Sequence, residues 1–437
     1  MKELLKTIIK DWQKTFPRAE VWERDLQVPL DSQKIISLIG PRRCGKTYYL
    51  YQLINQLLGP ELNARFIYLN FEDERLTLTS SQLRLILEAY YELYPENYGQ
   101  ELYLFFDEIQ EIAGWEKFVR RMYDTVTKNI FLTGSSAKML GKEIATSLRG
   151  RNLVYHLFPF SFEEYCRFQN LDVKDFYSTH GRAVLKGQFE KYIRLGGYPE
   201  TAGMDAELAQ KTLQSYFDVM LFRDIIERHA ISNPLVLKNF LKKILNNISQ
   251  PLSVNKFYNE LKGQGLQTSK NAIYEYLDHA ADCFLLFLLD PYEPSPAKQQ
   301  MKGNKAYAVD TGLVNAVTFR YSEDKGRLLE NIVYLHLVRE EQAICYLKNK
   351  YECDFVVSEN SIVTQALQVC LTLQDEATRQ REMRGLLHAA ERFNLPEAHI
   401  ITLDEEDEIS INDRKVLVHP AWKWLLTRPS MKAYLRL

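Results

Sequence analysis

The sequence has little of what marks a secreted, membrane-spanning or strongly basic protein. Its six cysteines, at positions 44, 166, 283, 345, 353 and 370, form no CxxC pair, so neither a disulfide framework nor a zinc site is indicated. The longest uninterrupted apolar run, Cys283–Leu289, is far shorter than the roughly 20 residues that cross a bilayer. The 55 lysines and arginines nearly balance 57 acidic residues, which excludes a histone-like basic coat but leaves room for a local basic patch.

What is present indicates an ordinary protein of several domains. The 437 residues, 46% hydrophobic and 26% charged, are enough for two or three separate cores. The first residues, MKELLKTIIKDWQK, predict an amphipathic helix and lack the continuous apolar centre of a signal peptide. We therefore expect a cytoplasmic protein that does not engage a membrane.

The first 160 residues alternate short apolar runs with helix-length amphipathic segments. The runs have four to six residues, are rich in β-branched and aromatic types, and read as buried strands. This order predicts an α/β domain over residues 1–160 with a parallel sheet and crossover helices. The predicted strands are Lys34–Ile39, Phe66–Asn70, Leu102–Phe106, Ile130–Thr133 and Leu153–Leu157.

A phosphate-binding loop follows the first predicted strand. Residues 40–47, GPRRCGKT, match GxxxxGK[ST] without a mismatch and precede a helical segment. Such a loop wraps backbone N–H groups around phosphates at a helix N-terminus. We predict that this loop binds ATP with Mg²⁺: Lys46 would neutralise the β- and γ-phosphates, and the Thr47 hydroxyl would coordinate the metal. The remaining nucleotide-binding positions are Gly40, Arg43, Cys44 and Gly45.

Polar residues at the ends of later strands complete the predicted site. Asp107 would hold Mg²⁺ through water and Glu108 would orient and deprotonate the attacking water. After the next strand, Ser135 is the predicted γ-phosphate sensor, with Ser136 as the alternative. Arg149 and Arg151 precede the last strand, and an arginine there would stabilise charge on the transferring phosphoryl group, in its own subunit or a neighbouring one. We favour Arg151.

After residue 160 the alternation of strands and helices ends, and the sequence predicts three further regions. Residues 161–233 form a helical lid or linker broken by the turn Gly196–Pro199. Residues 234–320 have the outline of a winged helix-turn-helix: three short helices, a strand pair, and a local excess of lysine. Its third helix would offer Ser269, Lys270, Asn271 and Tyr274 to a DNA groove. The lysines are 238, 242, 243, 256, 262 and 270. Residues 321–437 follow an αβββαβ order.

The strings GPRRCGKT, LFFDEIQEIAGWE, FLTGSSAKML, LRGR and LFPFSFEEY resemble the prokaryotic AAA-type ATPases. Those proteins carry a C-terminal domain of unknown function related to restriction-endonuclease-like folds, and LGGYPE, YAVDTGL, GRLLENIVYLHL, YECDFVV and LQVCL resemble that region. The resemblance spans about residues 30 to 370. It implies an α/β P-loop ATPase core of AAA+ type, a winged-helix middle domain and a nuclease-like end. It also implies a homo-oligomer, such as a ring, in which an arginine finger works across subunits.

A working nuclease of that class needs a helix Glu, a strand Asp and a Glu-x-Lys on the next strand. Glu330 and Asp354 stand at suitable places, but the third element reads Gln368-Val369-Cys370. A neutral Gln is a poor metal ligand and Cys supplies no positive charge, although Lys348 or Lys350 is a spatial alternative. We therefore expect residues 321–437 to be nuclease-like and catalytically inert.

The sequence thus predicts an ATP-hydrolysing AAA+-type ATPase acting on double-stranded or branched DNA through its later domains. The alternative is a signalling or scaffold NTPase switch that recognises a protein partner, because a P-loop followed by a winged helix also occurs in such switches. A third reading is an ATP-driven Mg²⁺ nuclease. Two shorter features are expected to have structural roles: the acidic run Asp404–Glu408 as a solvated loop, and Trp422 and Trp424 as packing residues.

Overall fold

The structure, a computed structural model, describes residues 1–15, 21–58, 65–137, 148–266, 268–293, 303–318, 324–348 and 350–427. The chain forms two compact units: residues 1–158 with 282–284, and residues 159–281 with 285–437. The finer division of the second unit into lid, winged helix and nuclease-like part stays a prediction. Within the described ranges, no helix has the length and apolarity needed to cross a membrane.

The first unit is built on a five-stranded parallel sheet. Its strands are ordered β2-β3-β4-β1-β5, and four of the five are buried almost throughout, as expected when helices cover both faces. The predicted α/β fold with a parallel sheet is confirmed. The strands are β1 (Ile35–Ile39), β2 (Phe66–Asn70), β3 (Tyr103–Asp107), β4 (Ile130–Gly134) and β5 (Asn152–His156).

The described part of this unit also contains the helices α1 (Lys2–Thr15), α2 (Lys46–Leu58), α3 (Leu85–Leu93) and α4 (Trp115–Thr125). The core between α2 and the sheet is largely aromatic, and includes the stacked rings of Phe105 and Phe131, whose centroids lie 4.9 Å apart. Strand β4 lies between β1 and β3. The carboxyl end of β4 therefore stands between the P-loop and the Asp-Glu pair that follows β3.

The second unit begins with helices. They are α5 (Phe162–Phe168), α6 (Thr179–Leu195) and α7 (Ala206–Val219), and α7 runs directly into a π-helical segment, Met220–Glu227. A capping box begins α5: Ser161 Oγ accepts from Glu164 N at 3.1 Å, and the Glu164 carboxylate accepts from Ser161 N at 2.9 Å.

Three further helices precede a strand pair. They are α8 (Pro234–Asn246), α9 (Val254–Gly263) and α10 (Lys270–Asp282), and Ser269 caps α10 by accepting from Ala272 N at 3.1 Å. Strands β6 (Leu286–Leu289) and β7 (Lys305–Ala308) pair antiparallel. These elements agree with the predicted helices and strand pair. Between the two strands, the sequence DPYEPSP (290–296) predicts a Pro-rich turn, and this segment lies partly outside the described residues.

Two of the strings that resemble the prokaryotic AAA-type ATPases, LGGYPE and YAVDTGL, contact each other in this unit. Asp310 begins α11 (Thr311–Val317), accepting from Leu313 N at 2.9 Å, and its other oxygen accepts from Gly197 N at 2.7 Å. A side chain at Gly196 would collide with Asp310, because a Cβ there would lie 2.0 Å from Oδ1. The strings LGGYPE and VDTGL are therefore two halves of one buried junction.

The unit ends in a mixed six-stranded sheet with the order β12-β13-β11-β10-β9-β8. Helices α12 (Lys325–Arg339), α13 (Glu376–Arg392) and α14 (Ala421–Thr427) accompany it. The strands are β8 (Ala343–Lys348), β9 (Glu352–Glu359), β10 (Ile362–Val369), β11 (Glu397–Thr402), β12 (Asp407–Ile411) and β13 (Arg414–Pro420).

The last hairpin corrects one expectation from the sequence. The acidic run Asp404–Glu408 is not simply a solvated loop, because Asp407 and Glu408 open the edge strand β12 and pair with β13. The antiparallel partner supplies the backbone hydrogen bonds that make a strand of this acidic segment. Trp422 and Trp424 are buried, as expected for packing residues.

Candidate functional site

The P-loop is held close to the end of β5. Gly40 leaves β1 where a Cβ atom would lie only 2.0 Å from the Leu157 carbonyl oxygen, so no larger residue fits without a backbone shift. Arg43 and Gly45 adopt positive φ angles of 65° and 102°. The buried Arg24 guanidinium donates to the Cys44 carbonyl oxygen at 2.9 Å and to the Phe158 carbonyl oxygen at 2.6 Å.

Lys46 is buried at the first position of α2. Its ammonium donates to the carbonyl oxygens of Gly40 at 3.2 Å and Pro41 at 3.1 Å, and lies 3.3 Å from Glu108 Oε1. Burial by itself would lower the pKa of Lys46, but Glu108 together with its other acidic neighbours, Asp107 among them, outweighs burial and the pKa is raised. Lys46 therefore carries its positive charge at the mouth of the loop.

Asp107 is fully buried at the end of β3 and is surrounded by hydroxyl donors. Its Oδ2 accepts from Thr47 Oγ1 at 2.6 Å and from the Tyr68 hydroxyl at 2.8 Å, while Thr133 Oγ1 donates to Oδ1. Burial, and next the neighbouring Glu108 charge, raise the pKa of Asp107; the three hydroxyls oppose that rise.

Glu108 follows in a left-handed conformation with φ 51°. Its backbone N–H donates to Thr133 Oγ1 at 2.9 Å, and its Oε2 accepts from Gln110 Nε2 at 2.5 Å. Burial works to raise the pKa of Glu108, but the Lys46 charge and the Gln110 donor more than offset it, so the pKa is lowered. The two adjacent carboxyls are shifted in opposite directions.

The oxygen atoms around Asp107 suit a magnesium ion. Mg²⁺ takes oxygen ligands, one or two carboxylates from the protein and the rest from phosphate and water. Thr47 Oγ1 and Asp107 Oδ2 are already adjacent and stand beside the P-loop lysine. The residues present therefore fit Mg²⁺ bound together with a nucleotide, with Thr47 and Asp107 as the protein's contribution.

The two serines after β4 differ. Ser135 is buried, and within the described part of the chain its Oγ has no hydrogen-bond partner. Ser136 Oγ donates to Asp282 Oδ1 at 2.8 Å. The sensor role of Ser135 stays a prediction.

The two arginines stand far from the P-loop of their own subunit. Arg151 immediately precedes β5, which pairs in register with β1 from Ile35↔Asn152 to Ile39↔His156, and the P-loop follows the other end of β1. Five residues of strand put roughly 16 Å between these two edges. Arg151 instead contacts Asp124 Oδ1 through Nε at 3.1 Å, and Arg149 is exposed. Action on the same subunit's phosphates is therefore excluded for Arg151 in this conformation.

Four contributors were not predicted from the sequence: Thr133, Tyr68, Gln110 and Arg24. Thr133 had a signal, since it is a polar residue two positions before Ser135 within an apolar strand. The other three had none, because their contacts depend on how distant segments pack.

The chain is similar to known proteins over most of its length. Residues 32–166 match the AAA domain family, and residues 186–324 match a domain of unknown function, DUF8612. The uncharacterized protein MJ1544 of Methanocaldococcus jannaschii is 38% identical over 440 residues, covering 98% of this chain and 96% of that protein. The chain belongs to this family of AAA-type ATPases. An uncharacterized Haemophilus influenzae protein is 28% identical over 83% of the chain and 88% of its own length.

Solved structures resemble the AAA-type ATPase only distantly. The Thermotoga maritima RuvB Holliday junction branch migration motor is 14% identical with a TM-score of 0.29, covering 69% of this chain and 91% of that one. Cdc6p from Pyrobaculum aerophilum is 14% identical with a TM-score of 0.26, covering 76% and 93%. Likeness at this level says nothing about what the protein acts on.

The AAA-type ATPase has a second polar cluster, in its C-terminal region. Glu330 on α12 and Asp354 on β9, the two predicted nuclease-type acids, do come together. The buried Lys305 ammonium lies 3.2 Å from Glu330 Oε1, 3.0 Å from Asp354 Oδ1 and 2.9 Å from Glu352 Oε1. Neither Lys348 nor Lys350 supplies this charge. Lys305 does so from β7, a strand that precedes the Glu-x-Lys position in the chain.

In this cluster an ammonium, not a metal ion, lies between the carboxylates. Glu330 Oε1 also accepts from the Tyr307 hydroxyl at 2.7 Å, and Asp354 Oδ2 accepts from Val369 N at 3.0 Å. Among the described residues no group of three His, Cys, Asp or Glu side chains is suited to hold a metal. Lys305 is the resident cation.

Proposed function

We propose that the protein hydrolyses ATP with Mg²⁺ at the edge of the sheet where β1, β3 and β4 end. The observation that carries this proposal is the convergence of Lys46, Thr47, Asp107 and Glu108 on one buried network. Lys46 would bind the β- and γ-phosphates, and Thr47 with Asp107 would hold the metal, which when bound neutralises phosphate charge. Gly40, Arg43, Cys44 and Gly45 would supply the loop.

Glu108 is the proposed base for the attacking water. It is the carboxylate with the lowered pKa, so it is ionised at neutral pH and able to accept a proton. Asp107, which already accepts three hydrogen bonds, is less free to do so. Ser135, whose hydroxyl has no hydrogen-bond partner among the described residues, is the proposed sensor of the γ-phosphate.

The test of this assignment is Glu108→Gln. We expect the variant to bind ATP with unchanged affinity and to turn over at least about a hundredfold more slowly, because an amide cannot take the proton. Binding is measured with a fluorescent ATP analogue and turnover as phosphate release. Hydrolysis at the wild-type rate would show that Glu108 is not the base.

We also propose that the protein works as a homo-oligomer in which Arg151 acts on the neighbouring subunit's nucleotide. The support is the position of Arg151 at the edge of the sheet opposite the P-loop of its own subunit. Mixing Glu108→Gln and Arg151→Ala proteins tests this, because an interface with an intact Glu108 on one side and an intact Arg151 on the other would regain activity. Two inactive variants that stay inactive when mixed would contradict action in trans.

For the substrate we propose double-stranded or branched DNA, contacted by helices α9 and α10. Lys256, Lys262 and Lys270 are exposed there, as are Asn271 and Tyr274 on α10. Two lysines of the predicted patch are engaged elsewhere: Lys238 pairs with Asp218 at 3.2 Å, and Lys243 pairs with Glu260. Ser269, predicted to face the groove, instead caps α10.

The experiment is the steady-state ATPase rate with duplex, single-stranded and four-way-junction DNA, with Glu108→Gln as the blank. We expect several-fold stimulation by duplex or junction and steep weakening of binding between low and physiological salt. Replacing Lys256, Lys262 and Lys270 by Gln should reduce the salt slope, whereas replacing the exposed lysines 174, 211 and 415 should not. A rate indifferent to every DNA would favour the protein-directed switch.

A further inference from the structure

Gln110 lies directly beside the proposed base. It belongs to the short 3₁₀ turn Ile109–Glu111 that follows Glu108, and it is 7% exposed. Its side-chain nitrogen donates to Glu108 Oε2 at 2.5 Å. Because an ionised carboxylate only accepts hydrogen bonds, the atom facing Glu108 must be the amide nitrogen. The orientation of the amide is therefore fixed by chemistry.

The other end of the same amide has no partner. Gln110 Oε1 is buried and, within the described residues, accepts no hydrogen bond. A buried acceptor without a donor costs free energy, so such atoms are normally satisfied by protein or by water. A water molecule is a natural donor to such an oxygen, and a water bonded to Gln110 Oε1 would stand beside the Glu108 carboxylate that Gln110 Nε2 contacts.

We propose that Gln110 positions the attacking water together with Glu108: its nitrogen orients the carboxylate and its oxygen accepts a second hydrogen bond from the water. This inference rests on the proposed ATP hydrolysis and adds a residue to it. The water oxygen forms a bond to the γ-phosphorus while the bond to the bridging oxygen breaks, and ADP leaves with that electron pair. The water's proton passes to Glu108 and then to the released phosphate.

Lys46 and Gln110 contact different oxygens of the Glu108 carboxylate. The ammonium lies 3.3 Å from Glu108 Oε1, whereas Gln110 holds Oε2. When Lys46 turns to bound phosphates, Oε1 is released and Gln110 still restrains the carboxylate. The base then stays in place at the moment when it becomes free to bind water.

The test compares Gln110→Leu with wild type and with Gln100→Leu, an exposed glutamine of the same unit. For Gln110→Leu we expect ATP-analogue affinity within twofold of wild type and a turnover number lower by roughly 10- to 100-fold. Gln100→Leu should change neither quantity.

The outcomes separate this inference from the proposed function. If Glu108→Gln is inactive while Gln110→Leu keeps the wild-type turnover, the role of Gln110 is overturned and ATP hydrolysis stands. If Gln110→Leu loses ATP-analogue binding, Gln110 only supports the loop and the proposal is equally overturned. If the wild-type protein hydrolyses no ATP, or Glu108→Gln does so at full rate, it is the proposed function that fails.

Discussion

The buried cluster around Lys305 predicts an unusual dependence of stability on pH. Glu330 is enclosed with Asp354, and burial first, then the Asp354 charge, raise its pKa to about 8 against the opposing Lys305 and Tyr307. The unfolded chain would ionise Glu330 near its ordinary value of 4.5. The folded state therefore keeps a proton that the unfolded state has lost over the whole interval between these values.

The sign and size of the effect follow from proton linkage. Where the folded state holds the extra proton, the free energy of unfolding falls as pH rises, by about 1.4 kcal/mol per pH unit. The contribution is complete below pH 4.5 and lost above pH 8. Between pH 6 and pH 8.5, the ionisation of Glu330 should lower the free energy of unfolding by about 3 kcal/mol.

The perturbation is Glu330→Gln, which keeps the shape of the neutral acid and removes its titration. Because all other groups titrate in both proteins, the difference between variant and wild type isolates Glu330. We expect similar stability at pH 6, and at pH 8.5 a variant more stable than wild type by about 3 kcal/mol. Hydrogen exchange of the amides in α12 and β9 reports opening of this region alone.

The control is Glu391→Gln, an exposed glutamate on α13 in the same unit. Its difference from wild type should be the same at both pH values. If the Glu330→Gln difference is also independent of pH, or if the variant is the less stable protein at pH 8.5, then Glu330 is ionised in the folded state and the reasoning is refuted.

Three further changes test the nucleotide site. Lys46→Ala should abolish binding of a fluorescent ATP analogue, because no other ammonium contacts the P-loop carbonyls in the described structure. Thr133→Val should leave that affinity unchanged but lower turnover about 10- to 100-fold. The reason is that the substitution leaves the buried Glu108 N–H unpaired, at a cost of about 1–3 kcal/mol. Turnover equal to that of the wild type would contradict this. Gly40→Ala should weaken analogue binding at least about tenfold through its clash with the Leu157 carbonyl, whereas Gly187→Ala, with open space around it, should not.

The sheet of the first unit could be predicted because its signals are local. Each strand is a short apolar run between helix-length segments, and the predicted and observed bounds differ by at most one residue at either end. The P-loop, Asp107 and Glu108 follow strand ends, and the ends of neighbouring parallel strands must meet at one edge. The sequence pattern therefore predicts that these residues lie close together.

What escaped prediction depends on packing between segments distant in the chain. Tyr68 reaches Asp107 across 39 positions and Arg24 reaches Phe158 across 134. Lys305 lies 25 positions before Glu330 and 49 before Asp354, on a strand of another motif. Gln368 and Cys370 occupy the Glu-x-Lys spacing at the end of β10. That spacing carries no information about Lys305, because a different strand supplies it.

The opposite pKa shifts of Asp107 and Glu108 show why the order of these two acids matters. Successive side chains of a strand point to opposite faces, so a Glu directly after the last strand residue would normally turn away from Asp107. The left-handed backbone at Glu108, fixed by the bond from its N–H to Thr133, ends the strand there and brings the carboxylate to Lys46. Asp107 receives three hydroxyl donors and no ammonium within bonding distance among the described residues, whereas Glu108 receives the ammonium. Exchanging the two residues would shorten by one methylene the carboxylate that faces Lys46 and add that methylene at the fully buried position 107, so both sets of contacts would be disturbed.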